Sequence, residues 1–402
     1  LGRRPNETGM LESVGGLGRL GWTIRTGAVL AMFMALAPLR ADEADDLYAL
    51  AAGHFSQERW QLAAETFQQF LSNHPNHPKF TEATFRLGEA LLQLGRLEEA
   101  STRFRESAQK EPDGPWARPA LFRAGETAYL TGKLDLAGSD LRQFLQKYPD
   151  DPLVAYVLPY LGDVALAQGQ MGEAEQRFRE GLRRFPDGKL QDNCRFGLAR
   201  ALEKQGNTGE AEKLYLALAG KTTSRLAEDA QFRLGALQYA MGRYSEAVQS
   251  FAVFESRLAA SRHQSLARLG HGWALLKLNR PADAAGVFQR IAADPKLGIE
   301  ARYWLGISQK SQKDWSGASR TLLEAAAADP KHALVPALRF HAGDALLRSG
   351  DLAGARQQFD QVAALAGAQS EWLDDALRGS IQAALCAEDH DAVDRQARSF
   401  FD

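Results

Sequence analysis

The sequence predicts an all-α fold, a right-handed α-solenoid of about ten helix–turn–helix repeats, on three observations. Alanine recurs at Ala63, Ala100, Ala137, Ala174, Ala211, Ala247, Ala284, Ala318, Ala355 and Ala392, with spacings of 37, 37, 37, 37, 36, 37, 34, 37 and 37. Four places after most of them stands a large apolar residue: Phe67, Phe104, Leu141, Phe178, Tyr215, Phe251, Phe288, Leu322 and Phe359. Twelve places before seven of them stands glycine: Gly88, Gly125, Gly162, Gly235, Gly272, Gly306 and Gly343. A fixed period of this length marks a repeat architecture that grows in one dimension, so the usual estimate of domain number from length does not apply.

Each element of the repeat has a physical reason. Glycine inside a helix costs about 1 kcal/mol relative to alanine, so its recurrence implies a contact where no side chain fits, at the crossing of two helices. A second glycine closes the first helix five places before the alanine, at Gly95, Gly132, Gly169, Gly206, Gly242 and Gly350, as C-cap chemistry expects. In the second helix the alanine and the large residue are an i, i+4 pair on one face, where the alanine permits close approach and its partner fills the space beyond. Twelve places after the alanine, Pro75, Pro112, Pro149, Pro186 and Pro330 stop that helix, because proline lacks the N–H and turns its predecessor away from helical geometry.

This pattern resembles the tetratricopeptide repeat, whose usual unit is about 34 residues. Here most units have 37, and the additional residues fall in inter-repeat loops such as His74-Pro75-Asn76-His77-Pro78 and Pro112-Asp113-Gly114-Pro115. The stretch FLQKYPDDPLVAYVLPYLGDVALAQGQMGEAEQRFREGLRRFPDG, residues 144–188, resembles the repeats of the periplasmic Tol-Pal coordinator and, less closely, those of the outer-membrane assembly lipoprotein. The likeness spans residues 44 to about 400, and is one of repeat consensus and loop length. The expected organisation is a signal segment at 1–41 and a solenoid at 42–402, with repeats near 44–80, 81–117, 118–154, 155–191, 192–227, 228–264, 265–298, 299–335, 336–372 and 373–402.

The N-terminal expectation rests on Arg19 and Arg25 ahead of the uncharged stretch Gly27–Leu39, followed by Arg40-Ala41 and the acidic Asp42-Glu43. That order reads as a secretory signal peptide cut near Ala41, since the stretch is too short to cross a bilayer that takes roughly 20 apolar residues. No cysteine lies near it, so a lipoprotein is not expected; a periplasmic or secreted chain without an integral membrane segment is. The chain carries 48 basic and 50 acidic residues, a balance with no electrostatic footprint for nucleic acid or anionic lipid. Its two cysteines, Cys194 and Cys386, stand in distant repeats and are not expected to pair.

The resemblance implies that the first helices line a concave groove, with groove-facing positions 2, 5, 9 and 12 when the consensus glycine is position 8. Position 5 includes Phe85, Phe122, Phe196 and Phe232 in a nearly continuous aromatic stripe. Position 9 adds Glu89, Glu126, Asp163, Arg200 and Trp273; position 12 adds Leu92, Tyr129, Leu166 and Tyr239. Two readings of the stripe stand: rings packed between neighbouring first helices, or ring edges forming a binding track of large area and low entropy cost. Carboxylates beside aromatics in the second to fourth repeats suit a partner carrying Lys or Arg among apolar residues.

Chemistry finds no footing. His74 and His77 lack a third ligand, no G-x-S-x-G, P-loop or dinucleotide fingerprint occurs, and no pair of carboxylates is singled out across a cleft. The expectation is a non-catalytic scaffold of the bacterial cell envelope without metal or cofactor, binding other proteins or peptides rather than small molecules. The alternative is a peptidoglycan- or polysaccharide-associated auxiliary protein that stacks sugars on the stripe.

Overall fold

The computed structural model describes residues 43–258, 261–365 and 372–401; the expected signal segment, 1–41, lies outside the described residues. All regular structure among them is α-helical, in twenty helices. The chain divides into two compact units, Leu1–Gly197 and Leu198–Asp402. In the first unit, α1 (Glu43–Ser56), α3 (Phe80–Gln93), α5 (Ala117–Leu130) and α7 (Val154–Ala167) are first helices. Their hairpin partners are α2 (Trp60–Asn73), α4 (Leu97–Lys110), α6 (Leu134–Lys147) and α8 (Met171–Arg184). The division falls within α9 (Gln191–Gln205).

The second unit continues with α10 (Thr208–Ala219), α11 (Ala227–Ala240), α12 (Tyr244–Arg257), α13 (Gln264–Lys277) and α14 (Pro281–Gln289). It ends with α15 (Gly298–Ser311), α16 (Trp315–Ala328), α17 (Val335–Ser349), α18 (Leu352–Leu365), α19 (Leu373–Cys386) and α20 (His390–Phe401). Within each unit successive helices pack on one another, and first helices of adjacent repeats also meet, as α1 meets α3, α5 meets α7, α11 meets α13 and α15 meets α17. Each unit is therefore a stack of hairpins, the α-solenoid fold.

The contact expected at the helix glycines is present, and it is with the large residue of the second helix. A Cβ on Gly88 would stand 2.7 Å from the Phe104 ring, one on Gly125 2.7 Å from Leu141, one on Gly162 2.6 Å from Phe178 and one on Gly235 2.8 Å from Phe251. Phe104, Leu141, Phe178 and Phe288 are wholly buried, as are nearly all of the ten repeat alanines. Several rings are held from a second side by the next first helix, where Gly197 faces Phe178, Gly270 faces Phe251 and Gly379 faces Phe359. A benzene ring clamped between two backbones has nowhere to move, so these sites demand glycine on steric grounds alone.

The turn between the two helices makes a second demand. Gly95, Gly132, Gly169, Gly206, Gly242 and Gly350 all have positive φ, as in Gly169 at 77°. Where a repeat lacks that glycine the backbone keeps the same geometry, with Glu58, Asn279 and Lys313 at 57°, 56° and 64°. The turn is dictated by packing of the two helices, and the non-glycine residues occupy it under strain. The single short repeat, where the alanine spacing is 34, loses its residues from α14, which has 9 against 14 in α12 and α16.

Polar groups about one repeat apart tie neighbouring hairpins together: Lys79 Nζ to Asp45 Oδ1 at 2.9 Å, Arg118 to Asp151 at 2.7 Å and Arg356 to Asp389 at 2.7 Å. Pairs exposed on both sides, as Lys79–Asp45 and Arg356–Asp389 are, are worth a few tenths of a kcal/mol each, so burial of the rings holds the stack and the ion pairs tune its register. Gly162→Ala is expected to destabilise the protein by about 1–3 kcal/mol despite alanine's better helix propensity. Lys313→Gly, which relieves a left-handed backbone, is expected to stabilise by about 0.5–1 kcal/mol. Urea unfolding measures both; shifts of the same sign would refute the two demands.

Candidate functional site

In the first unit one cluster of polar side chains spans the first helices α3, α5 and α7. Arg123 of α5 is their centre. Its Nη1 donates to Glu126 Oε2 at 2.7 Å one turn along the same helix, and its Nε lies 2.8 Å from Glu89 Oε1 on α3. From α7, the Tyr160 hydroxyl donates to Glu126 Oε1 at 3.2 Å, and the Tyr129 hydroxyl of α5 donates to Asp163 Oδ2 at 3.1 Å. The two tyrosine rings lie 4.9 Å apart.

Two carboxylates thus share one guanidinium. Glu126 is 1% exposed and both its oxygens are used. Glu89 is half-buried, and its Oε1 faces Arg123 without a well-aligned hydrogen bond. Burial raises the Glu89 carboxyl above its ordinary value, opposed by the charge of Arg123 and assisted by that of Glu126. Arg123 stays cationic: burial works against the charge, but Glu89 and Glu126 outweigh it. A charge excess away from water is unfavourable until a counter-charge arrives.

Of the expected groove-facing carboxylates, Glu89 and Asp163 are half-buried, while the expectation is corrected at Glu126, which is buried in the core. Phe122 is likewise buried, 5% exposed, on Phe144 and Tyr156. Phe85, half-buried, packs on Phe104 at 5.4 Å and Trp116 at 5.0 Å. Phe232 stacks on His263 at 4.9 Å with an interplanar angle of 8°. Position 5 therefore serves packing first, with part of the Phe85 and Phe232 rings left at the surface. Leu92, Tyr129, Leu166, Phe196, Arg200, Tyr239 and Trp273 are half-buried on their first helices.

In the second unit the first helices carry a row of rings instead. Tyr239 of α11 meets Trp273 of α13 at 6.5 Å, Trp273 meets Trp304 of α15 at 6.1 Å, and Tyr303 meets His341 of α17 at 5.6 Å. Beside it, Lys310 Nζ lies 2.7 Å from Asp344 Oδ2 and 3.1 Å from His341 Nδ1, and Arg348 Nε lies 3.0 Å from Asp344 Oδ1. Burial alone would raise the Asp344 carboxyl, but Lys310 and Arg348 hold it below the usual carboxylate range. Burial, reinforced by the charge of Lys310, lowers His341 to about 4.

Arg123, Tyr160, Trp304 and His341 were outside the sequence reading because all occupy position 6, between the sites chosen. Their signal was helical spacing: position 6 lies three residues before position 9, on the same helix face. His74 and His77 each pack on Phe70. Among the described residues no group of three or more His, Cys, Asp or Glu is placed to hold a metal ion, and no helix is long and apolar enough to cross a membrane. Cys194, buried, and Cys386, exposed, are both unpaired.

Sequence profiles of the tetratricopeptide repeat match residues 48–115, 233–298, 269–333 and 305–371, with further profiles of the same repeat at 165–227 and 119–151. No curated protein matches the chain. Among solved structures, the C-terminal part of a TPR repeat-containing protein from Cytophaga hutchinsonii is similar with a TM-score of 0.54 at 15% identity, over 63% of this chain and 98% of that one. A tetratricopeptide repeat protein from Parabacteroides merdae gives a TM-score of 0.37 at 14% identity, over 74% of this chain and 98% of that one. The first of these shows the fold alone.

Glu126→Lys buries a second cation beside Arg123 and is expected to cost about 3–5 kcal/mol of stability, whereas Glu89→Gln is expected to cost less than about 1 kcal/mol; equal unfolding midpoints would refute the assigned burial. For His341 the sign follows from proton affinity lost on folding. Between about 6.5 and about 4 the unfolded chain binds a proton that the folded chain does not, so stability falls as pH drops through that window. His341→Gln is expected to remove roughly 2 kcal/mol of that loss, read from midpoints at pH 7 and pH 4.5; identical pH dependence in variant and parent would contradict it.

Proposed function

The chain belongs to the tetratricopeptide repeat family, whose repeats generally mediate protein–protein interaction and are typically non-catalytic, and from that premise we propose that it is a cell-envelope scaffold that binds partner segments along its first helices. The observation that carries the reading is the Glu89–Arg123–Glu126 arrangement, two carboxylates to one guanidinium, on first helices that also carry the half-buried Phe85, Leu92, Tyr129 and Leu166. A partner lysine or arginine flanked by apolar residues supplies the missing charge and covers the half-buried side chains. Glu89 and Asp163 are the acids within reach of such a residue, while Glu126 fixes Arg123.

The peptide reading is favoured over polysaccharide by ring geometry. In the second unit Trp273 and Trp304 meet at 73° and Tyr303 and Trp304 at 76°, so this row interlocks edge to face instead of lying as a flat platform for sugars. The envelope assignment is supported by the basic-then-apolar order of residues 19–41 and by the resemblance of the loops to periplasmic repeats.

A basic, leucine-bearing peptide is expected to bind the full chain and to lose about tenfold in affinity in Glu89→Gln/Asp163→Asn, measured by fluorescence anisotropy. Equal affinity in the variant, or chitooligosaccharide binding in place of peptide binding, would overturn the reading. Fractionation of cells producing the chain is expected to place it in the periplasm with an N-terminus near Asp42; recovery from the cytosol at full length would remove the envelope part.

A further inference from the structure

The second unit's first helices carry the opposite charge imbalance, beside a different set of rings. Lys310 and Arg348 share the single carboxylate of Asp344, at 2.7 Å and 3.0 Å. Lys277, exposed at the end of α13, adds a third cation; it stands five residues after Gly272, as Arg348 of α17 stands five after Gly343, and so one place beyond the position Lys310 holds after Gly306. All three stand in the last turns of successive first helices, α13, α15 and α17. A cation at a helix C-terminus is favourable to its own helix, but Lys277 and Lys310 also stand beside the aromatic row, while Arg348 covers the Trp315 ring of α16 at 5.3 Å. Trp273 is one turn before Lys277, and Lys310 reaches the ring of His341, which itself touches Tyr303 and Trp372.

Resting on the protein-interaction reading, we propose that this strip of the second unit docks an extended peptide segment in which acidic residues alternate with apolar or aromatic ones. Charge complementarity selects the occupant: three cations against one carboxylate leave room for carboxylates of a partner. The rings select against a purely acidic one, because Trp273 and Trp304 are half-buried and offer apolar area that only an apolar side chain covers. The Trp273 indole N–H has no hydrogen-bond partner, so turning that ring toward a backbone carbonyl of the segment forfeits no bond. The first unit, with two carboxylates to one guanidinium, has the reverse preference, and the chain would thereby hold two segments of opposite charge.

The experiment uses the full chain and three fluorescein-labelled peptides of the same apolar residues, carrying glutamate, glutamine or lysine at the alternate positions. The glutamate peptide is expected to bind, more weakly as salt rises, and the glutamine peptide to bind at least tenfold more weakly. Lys277→Gln/Arg348→Gln is expected to lose about tenfold for the glutamate peptide with an unchanged melting curve, and Lys277→Arg/Arg348→Lys to retain binding. Equal binding of the glutamate and glutamine peptides, or undiminished binding in the double glutamine variant, would overturn the proposal. If the lysine peptide binds and the glutamate peptide does not, this strip is wrong and the scaffold reading stands; if neither binds, both fall.

Discussion

A ring clamped against a bare stretch of helix backbone is the interaction on which the rest depends. Phe104 on Gly88, Phe178 on Gly162 and Phe251 on Gly235 bring the two helices of a hairpin closer than any side chain at the glycine would allow. That proximity fixes the turn, which becomes left-handed whether the residue there is Gly169 or Lys313. It also fixes which face of the first helix is left over. Gly197 and Gly270, from the following first helix, seal the far side of the same rings, so hairpin packing and stacking of hairpins rest on one set of contacts.

With the large residues of the second helices seated on the glycines and the apolar face of each first helix, such as Leu87 and Leu91 of α3 or Val157 and Leu161 of α7, buried around them, the remaining face of the first helices carries polar groups. The two units use that face differently. In the first, Arg123 binds Glu126 and Glu89 together and Tyr160 closes the arrangement from α7. In the second, Asp344 binds Lys310 and Arg348 together beside a run of tryptophans and tyrosines. Each group is one charge out of balance, with opposite signs. Since a partly buried charge excess is costly to the isolated protein, a lasting imbalance is more readily understood as half of an interface than as a device for stability.

The fold was legible in the sequence because the period, the helix glycines and the turn glycines each answer a local steric demand that repeats along the chain. The site was legible only in part. Glu89, Tyr129 and Trp273 could be placed on the first helices by counting, yet counting treated Glu126 as a groove-facing acid and passed over Arg123. Whether a carboxylate faces solvent or a guanidinium depends on residues one repeat away, such as Arg123 meeting Glu89 across 34 positions, and on small rotations between helices that no spacing encodes.

By itself, then, the sequence determined the helix pairs, their crossing points and the left-handed turns, since those follow from the volume of single residues at fixed intervals. Only the tertiary structure decided that Phe122 and Glu126 belong to the core, that Tyr160, Trp304 and His341 join the first-helix face, and that the charges of each unit are unequally matched. The physical reason is that backbone sterics act between near neighbours in sequence, whereas burial and charge pairing are properties of whichever side chains the stacked helices bring within a few ångströms.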